Sequence, residues 1–203
     1  MKLLFIGFLS LLVLPDASLY HDFGTDGLKG LTSEQQEKLS KGEIVFASSD
    51  SGESTLIEAV IIFNVTPETS WKLISKTEDQ SLYLNESKEI EVISKTPEKA
   101  VEVHTAGVMF MKFVYGVIEY YHPDAMWLRW ELDANYPEND LRELSGYWQL
   151  YSYGNGQTLA RYGNKASAKN VPRFIEDMFK KGGVRKGLAS VKKYVDSGGT
   201  YRK

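Results

Sequence analysis

The sequence predicts an α+β domain in which a curved antiparallel sheet wraps one long C-terminal helix. Three observations carry that expectation. From Leu56 to Tyr162, stretches of alternating apolar and polar residues follow one another at hairpin spacing. "VTPETSWKLIS", 65–75, passes from a strand straight into a helix. Near the end, "VPRFIEDMFKKGGVRKGLASVKKYV" places Phe174, Met178, Leu188, Val191 and Val195 at helical spacing. A sheet of this kind buries one face only if something covers it, and the last helix is the available cover.

The N-terminus reads differently. Lys2 precedes an unbroken apolar run, Leu3 to Leu14, shorter than the ~20 residues a membrane span needs and suited to a secretory signal. Cleavage is expected near Ala17, although Pro15 sits badly three residues before the cut. An uncleaved anchor is the main rival, and a buried helix would need a polar face that the run lacks. The 203 residues include no cysteine, which excludes disulfides, thiolate–zinc sites and cysteine nucleophiles. Export without cysteines points to a bacterial envelope, periplasmic or secreted. A hydrophobic content of 42% supports a proper core, and a net charge of −3 gives no positive field to recruit nucleic acid.

Residues 18–53 are expected to form an extension to the main domain, 54–197, with 198–203 as a tail. Within the extension, 18–31 reads as a linker. Thr32 caps a short helix, with Gln35 completing a capping box and Gly42 stopping it. "SSDSGES", 48–54, is a turn between two strands. Ile57, Ala59, Ile61 and Phe63 then share a strand face. Thr66 caps the next helix, Pro67 suits its first position and Glu68 complements its positive end, with Trp71 and Ile74 inward.

Glu89 to Lys95 is followed by a turn at Thr96-Pro97-Glu98. Val101, Val103 and Thr105 are then expected inward, and Glu102 and His104 outward. Val108 to Tyr121 is strand-like throughout, but both of its faces are apolar and its parity stays open. After His122-Pro123-Asp124, Leu128, Trp130 and Leu132 alternate inward against Trp127, Arg129, Glu131 and Asp133. Gly154-Asn155-Gly156 turns a last hairpin, with Trp148 and Leu150 on one strand and Thr158, Ala160 and Tyr162 on the other facing in. Tyr147, Tyr151, Tyr153 and Trp127 face out, either beneath the N-terminal extension or as a partner surface. Gly182-Gly183 predicts a bend in the last helix, or a close helix–sheet crossing.

No enzyme signature is present: no nucleophile elbow, phosphate-binding glycine loop or paired-histidine metal motif. His21, His104 and His122 are scattered, and the latter two read as surface residues. Glu119 is the one candidate general acid or base. If it faces inward it sits in an apolar setting that raises its pKa. No cofactor and no metal site is expected. Lys180, Lys181, Arg185, Lys186, Lys192 and Lys193 make one side of the last helix basic, a solvated face or a transient contact for anionic lipid headgroups.

"IEAVIIFNVTPETSWKLIS", "LSGYWQLYSYGNGQTLARY" and "VPRFIEDMF…GLASVKKYV" together resemble, in order and spacing, the START-like helix-grip (SRPBCC) superfamily. It includes pollen-allergen type lipid carriers, polyketide cyclases and coenzyme Q-binding START proteins. The likeness spans roughly 54–197, leaves 18–53 outside, and is interrupted unusually by Gly182-Gly183. It implies a cavity between sheet and helix that binds or transports a hydrophobic small molecule or lipid. Cyclase- or dehydratase-like catalysis in the same cavity and a solid-cored interaction domain are the alternatives. On this resemblance, Phe63, Trp71, Val103, Phe110, Leu128, Trp130, Trp148, Phe174 and Met178 are the expected ligand-binding residues, with Tyr121 or Glu119 as polar anchors.

Overall fold

The computed structural model describes residues 21–51, 54–108, 110–169 and 182–203. The expected signal segment and the first half of the last helix lie outside these residues. Eight antiparallel strands form one sheet in the order β1-β2-β8-β7-β6-β5-β4-β3. Their ranges are β1 Val45–Ser51, β2 Ser54–Phe63, β3 Ser87–Lys95, β4 Lys99–Val108, β5 Met111–His122, β6 Trp127–Leu132, β7 Leu141–Tyr153 and β8 Gln157–Ala168. β3 to β8 form a meander, and β2 closes onto its far end beside β8. The boundary expected at 53/54 falls inside the β1–β2 hairpin, so the sheet begins at Val45.

The chain crosses from β2 to β3, at opposite sides of the sheet, through α2 (Pro67–Ile74), a 3₁₀ turn (Thr77–Asp79) and α3 (Gln80–Tyr83). Thr66 caps α2 by accepting from the Thr69 amide, and Pro67 occupies its first turn. Ser70, fully buried, donates to Thr158 Oγ1 at 2.9 Å, and Thr158 donates to the Val65 carbonyl at 2.7 Å. These bonds seat α2 on β8. The last helix, α4 (Val184–Asp196), follows a π turn at Gly182-Gly183 and lies over the concave face. Its C-terminal half is tied down. Lys192 donates to the Ile62 carbonyl, Asp196 accepts from the Asn64 amide at 2.7 Å, and Tyr194 stacks on Tyr83 at 4.0 Å.

The convex face is covered by the N-terminal segment. α1 (Ser33–Ser40) carries the capping box between Thr32 and Gln35 and packs Leu39 with Val45, Val60, Ile62 and Leu159. Arg161 donates to the carbonyls of Gly27 and Lys29 at 2.7 and 2.8 Å and lies 4.3 Å from the Phe23 ring centre. His21 and Phe23 flank Tyr147 at 4.9 and 6.1 Å. The outward aromatics of β7 therefore pack beneath the N-terminal segment. Two glycines make this face and its opposite possible. The Tyr147 ring crosses Gly163 on β8 and donates to Glu58 on β2 at 2.9 Å. On the concave face the Trp130 ring crosses Gly146 on β7 and donates to Asn164 on β8 at 3.2 Å.

A Cβ at 146 would overlap the Trp130 ring and come within 2.5 Å of the Gly163 carbonyl oxygen. We expect Gly146→Ala to cost about 1–3 kcal/mol through overpacking. Urea melts followed by tryptophan fluorescence should show the lower midpoint and an altered native emission. An unchanged midpoint would mean that the ring does not rest on this glycine.

Candidate functional site

Among the described residues, α4 roofs only part of the concave face. Between α4 and the sheet lies a cavity of about 310 Å³. Its roof is the N-terminal part of α4, where Gly183, Val184, Gly187, Leu188 and Val191 point downward. Gly187 on that face leaves room. A Cβ at Gly187 would meet only Leu84 Cδ2, at 4.0 Å, and one at Gly182 would meet nothing within 4 Å. At these two positions the glycines are not forced by close crossing. The floor comes from β8 and β7 with Tyr162, Asn164, Leu144 and Trp148, from β6 with Trp130, and from β5 with Phe113, Tyr115, Val117 and Glu119. His104 and Ala106 of β4 close one side, and Tyr83, Leu84 and Gln80 another.

One cross-strand row organises this floor: Ala100 opposite Glu119, Glu119 opposite Trp130, Trp130 opposite Gly146, Gly146 opposite Asn164, and Asn164 opposite Ile57. Side chains in such a row share one face of the pleat. Glu119 therefore faces the interior, which settles the open parity of β5, and it is only 3% exposed. Its Oε2 accepts from Thr77 Oγ1 and Tyr121 Oη, each at 2.6 Å. Burial, then the neighbouring Glu102 carboxylate, push its pKa up to about 7, against the pull of the two hydroxyl donors and Lys95. The same carboxylates and burial push the Tyr121 phenol far above its ordinary value.

The face assigned to β4 is a correction. Ala100, Glu102 and His104 are buried, whereas Val101 and Val103 lie on the opposite, half-buried side. His104 Nε2 sits 2.9 Å from Glu102 Oε2, and its ring stacks on Tyr115 at 5.5 Å. Glu102 Oε1 is fully buried and has no hydrogen-bond partner among the described residues. The alternation of Val101 and Val103 misleads because the concave side here is polar, with Glu102 and His104 buried on it. His122 is half-buried rather than a surface residue, stacked on Trp127 at 4.4 Å, and burial lowers its pKa.

Among the expected lining residues, Trp130 and Trp148 face the cavity. Phe63 and Leu128 belong to the adjoining solid core, with Phe63 centred 6.3 Å from Trp148. Trp71 packs half-buried against that core, and Tyr121 acts through Glu119. Val103 is excluded by its strand face, and Phe110 by its place at the β4–β5 tip, where it is 84% exposed. Phe174 and Met178 lie outside the described residues. His104, Glu102, Tyr83, Asn164 and the α4 glycines were not anticipated. An "AVEVHTA" strand between two hairpin turns gives no local sign of its parity, and small residues leave only an absence. Of the basic residues on α4, Arg185 lies over Phe46 at 4.1 Å, Lys192 bonds Ile62 and Asp196, and Lys193 lies over Tyr201 at 5.5 Å. Among the described residues no three His, Asp or Glu side chains are grouped to hold a metal, and no helix is long and apolar enough to cross a membrane.

Structural comparison decides the architecture. A STAR-related lipid transfer protein from Xanthomonas axonopodis superposes with a TM-score of 0.61 at 10% identity, over 74% of this chain and 98% of the other. The aromatase/cyclase Zhui from Streptomyces sp. R1128 gives 0.60 at 10% identity, over 71% and 93%. A START superfamily protein from Mycobacterium smegmatis gives 0.58 at 13% identity, over 70% and 97%. The chain has the START-like helix-grip fold. No family model and no curated protein sequence matches it. In this helix-grip domain the C-terminal half of α4 is anchored to the sheet and its described N-terminal turns line the cavity.

Glu119 makes stability depend on pH with a definite sign. Its folded pKa lies above the unfolded one, so the native state binds the extra proton. Stability contributed at low pH is lost as pH rises from about 4.5 through about 7. The loss is on the order of 3 kcal/mol. We expect Glu119→Gln to match the wild type in melting temperature at pH 4.5 and to exceed it at pH 8. Calorimetry at both values checks this, and parallel curves across the range would contradict the burial of an ionisable carboxyl.

Proposed function

We propose that this protein binds and carries one hydrophobic small molecule or single-chain lipid in the cavity between the sheet and α4. The observation that carries the reading is the cavity itself, about 310 Å³ and walled mainly by Trp130, Trp148, Tyr115, Phe113, Leu188 and Val191. Small-molecule sites have this composition, an apolar wall with a few convergent polar groups, and volumes of roughly 300–1,000 Å³. The size favours a ring-sized or single-chain ligand over a two-chain lipid. Burying apolar surface supplies affinity at roughly 25 cal/mol per Å². Structural neighbours described as a lipid transfer protein and an aromatase/cyclase are consistent with such contents.

Glu119 supports a second reading, a cyclase- or dehydratase-like enzyme. It faces the cavity, and with a pKa near 7 it could take or give a proton at neutral pH. Against the first reading stands a simple measurement. Organic extracts of the natively purified protein, analysed by mass spectrometry, should contain one stoichiometric apolar compound. Recovery of a chemically altered product after incubation with that compound would favour the enzyme.

Gly187→Leu separates the cavity from the fold. Leucine is worth roughly 0.8 kcal/mol more than glycine in a helix interior, and its side chain would project into the cavity beneath α4. We expect a melting temperature equal to or above wild type and loss of the co-purifying compound. Retention of the compound at full occupancy would place the binding site elsewhere.

A further inference from the structure

The charges at the polar end of the cavity do not balance. Glu102 Oε2 is hydrogen-bonded to His104 Nε2 at 2.9 Å, and Lys95 is paired with Glu78 at 3.0 Å. Glu119 has two neutral hydroxyl donors and, among the described residues, no cation in contact. Both of those hydrogen bonds fall on Oε2, while Glu119 borders the cavity. Glu102 Oε1, buried on the neighbouring strand, has no hydrogen-bond partner among the described residues. Gln80 contributes an amide to the same wall, and the rings of Trp130 and Tyr115 border it. A carboxylate held out of water in this way requires a proton or a counter-charge. An ammonium group supplies three donors and the missing charge, and aromatic faces add a further attraction for cations. A fatty-acid carboxylate would meet two buried acids instead.

We infer that the cavity recognises a lipophilic primary amine, its ammonium directed at Glu119 and its apolar body lying under α4 between Trp130 and Trp148. The inference rests on the ligand-binding reading above and narrows it to a ligand class. Amine binding displaces the proton that Glu119 otherwise holds, so affinity rises with pH through the range in which Glu119 ionises. The titratable and charged groups facing Glu119 are Glu102 and His104 from β4, Tyr121 from β5 and Lys95 from β3. Tyr83 faces it from α3; one step further out, Glu78 acts on Tyr121, and Asp79 and Tyr194 act on Tyr83. Loss of the pH dependence on changing Glu119 alone assigns it to that residue.

The test uses the full chain and three probes of equal length, n-decylamine, 1-decanol and decanoic acid, with binding read from the emission of Trp130 and Trp148. At pH 8 the amine should bind roughly 10- to 100-fold more tightly than the alcohol, the range expected for a charge-assisted hydrogen bond. The acid should bind more weakly than either. Between pH 8 and pH 5.5 the amine should lose at least tenfold in affinity while the alcohol changes little. Glu119→Gln, of the same shape, should bind the alcohol as before and abolish both the amine preference and its pH dependence. If that variant does not fold, the wild-type series over the two pH values decides alone. Alcohol or acid binding at least as tightly as the amine overturns this inference and leaves the cavity reading standing. Failure of all three probes to bind overturns both.

Discussion

The concave face depends on one contact, the Trp130 indole lying across Gly146. A tryptophan in the middle of a sheet normally stands up from the pleat and fills the layer above it. Here the neighbouring strand offers no side chain, so the ring leans over it and hydrogen-bonds Asn164 beyond. The space that an upright ring would occupy remains open under α4. The same arrangement recurs on the other side, where Tyr147 leans over Gly163 to Glu58 and presents a flat aromatic surface to His21 and Phe23. One face thereby gains a hollow and the other a platform.

Much of this architecture is legible because it follows from alternation against a fully covered face. The inward residues of β2, β6, β7 and β8 read correctly, since each of these strands has a continuous apolar layer on its concave side. The caps of α1 and α2 also read directly from Thr32 and Thr66, because capping is a local hydrogen bond between residues three apart. β4 fails for a physical reason. Its valines sit half-buried on the convex face while Glu102 and His104 face in. Alternation fixes which residues share a face but not which face is wet. Of the candidate site, Trp130, Trp148, the helix residues Leu188 and Val191 and, with its parity open, Glu119 were legible. Its polar end joins β4, β5 and the turn before α3, and no short-range pattern connects Thr77 to Glu119.

Glu102 and Glu119 run against stability. Two carboxyl groups within one buried patch cost stability through desolvation and, for Glu119, through the neighbouring carboxylate. Thr77 and Tyr121 donate to Glu119 alone, and an interior that served packing alone would gain from apolar replacements. Retaining charge beside an aromatic hollow is the pattern of a site, with strain accepted locally and offset by the solid core around Phe63, Ile61 and Leu128.

The closure of the sheet by β2 against β8 has a consequence during synthesis. The partners in this pairing, Ile57 and Asn164 among them, are separated by roughly 100 residues, and at ~5–20 residues per second the wait lasts about 5–20 seconds. Through that interval the nascent "AVIIF" segment has one edge paired by β1 and the other edge bare. Such a segment, rich in β-branched residues and uncharged, is a template for wrong partners. The hairpin with β1 halves the exposed hydrogen-bonding edge at once, and α2 forms directly behind it under its own cap. Translation speed across residues 64–157 therefore sets how long the chain is vulnerable to aggregation. Slower elongation there should lower soluble yield without altering the finished molecule.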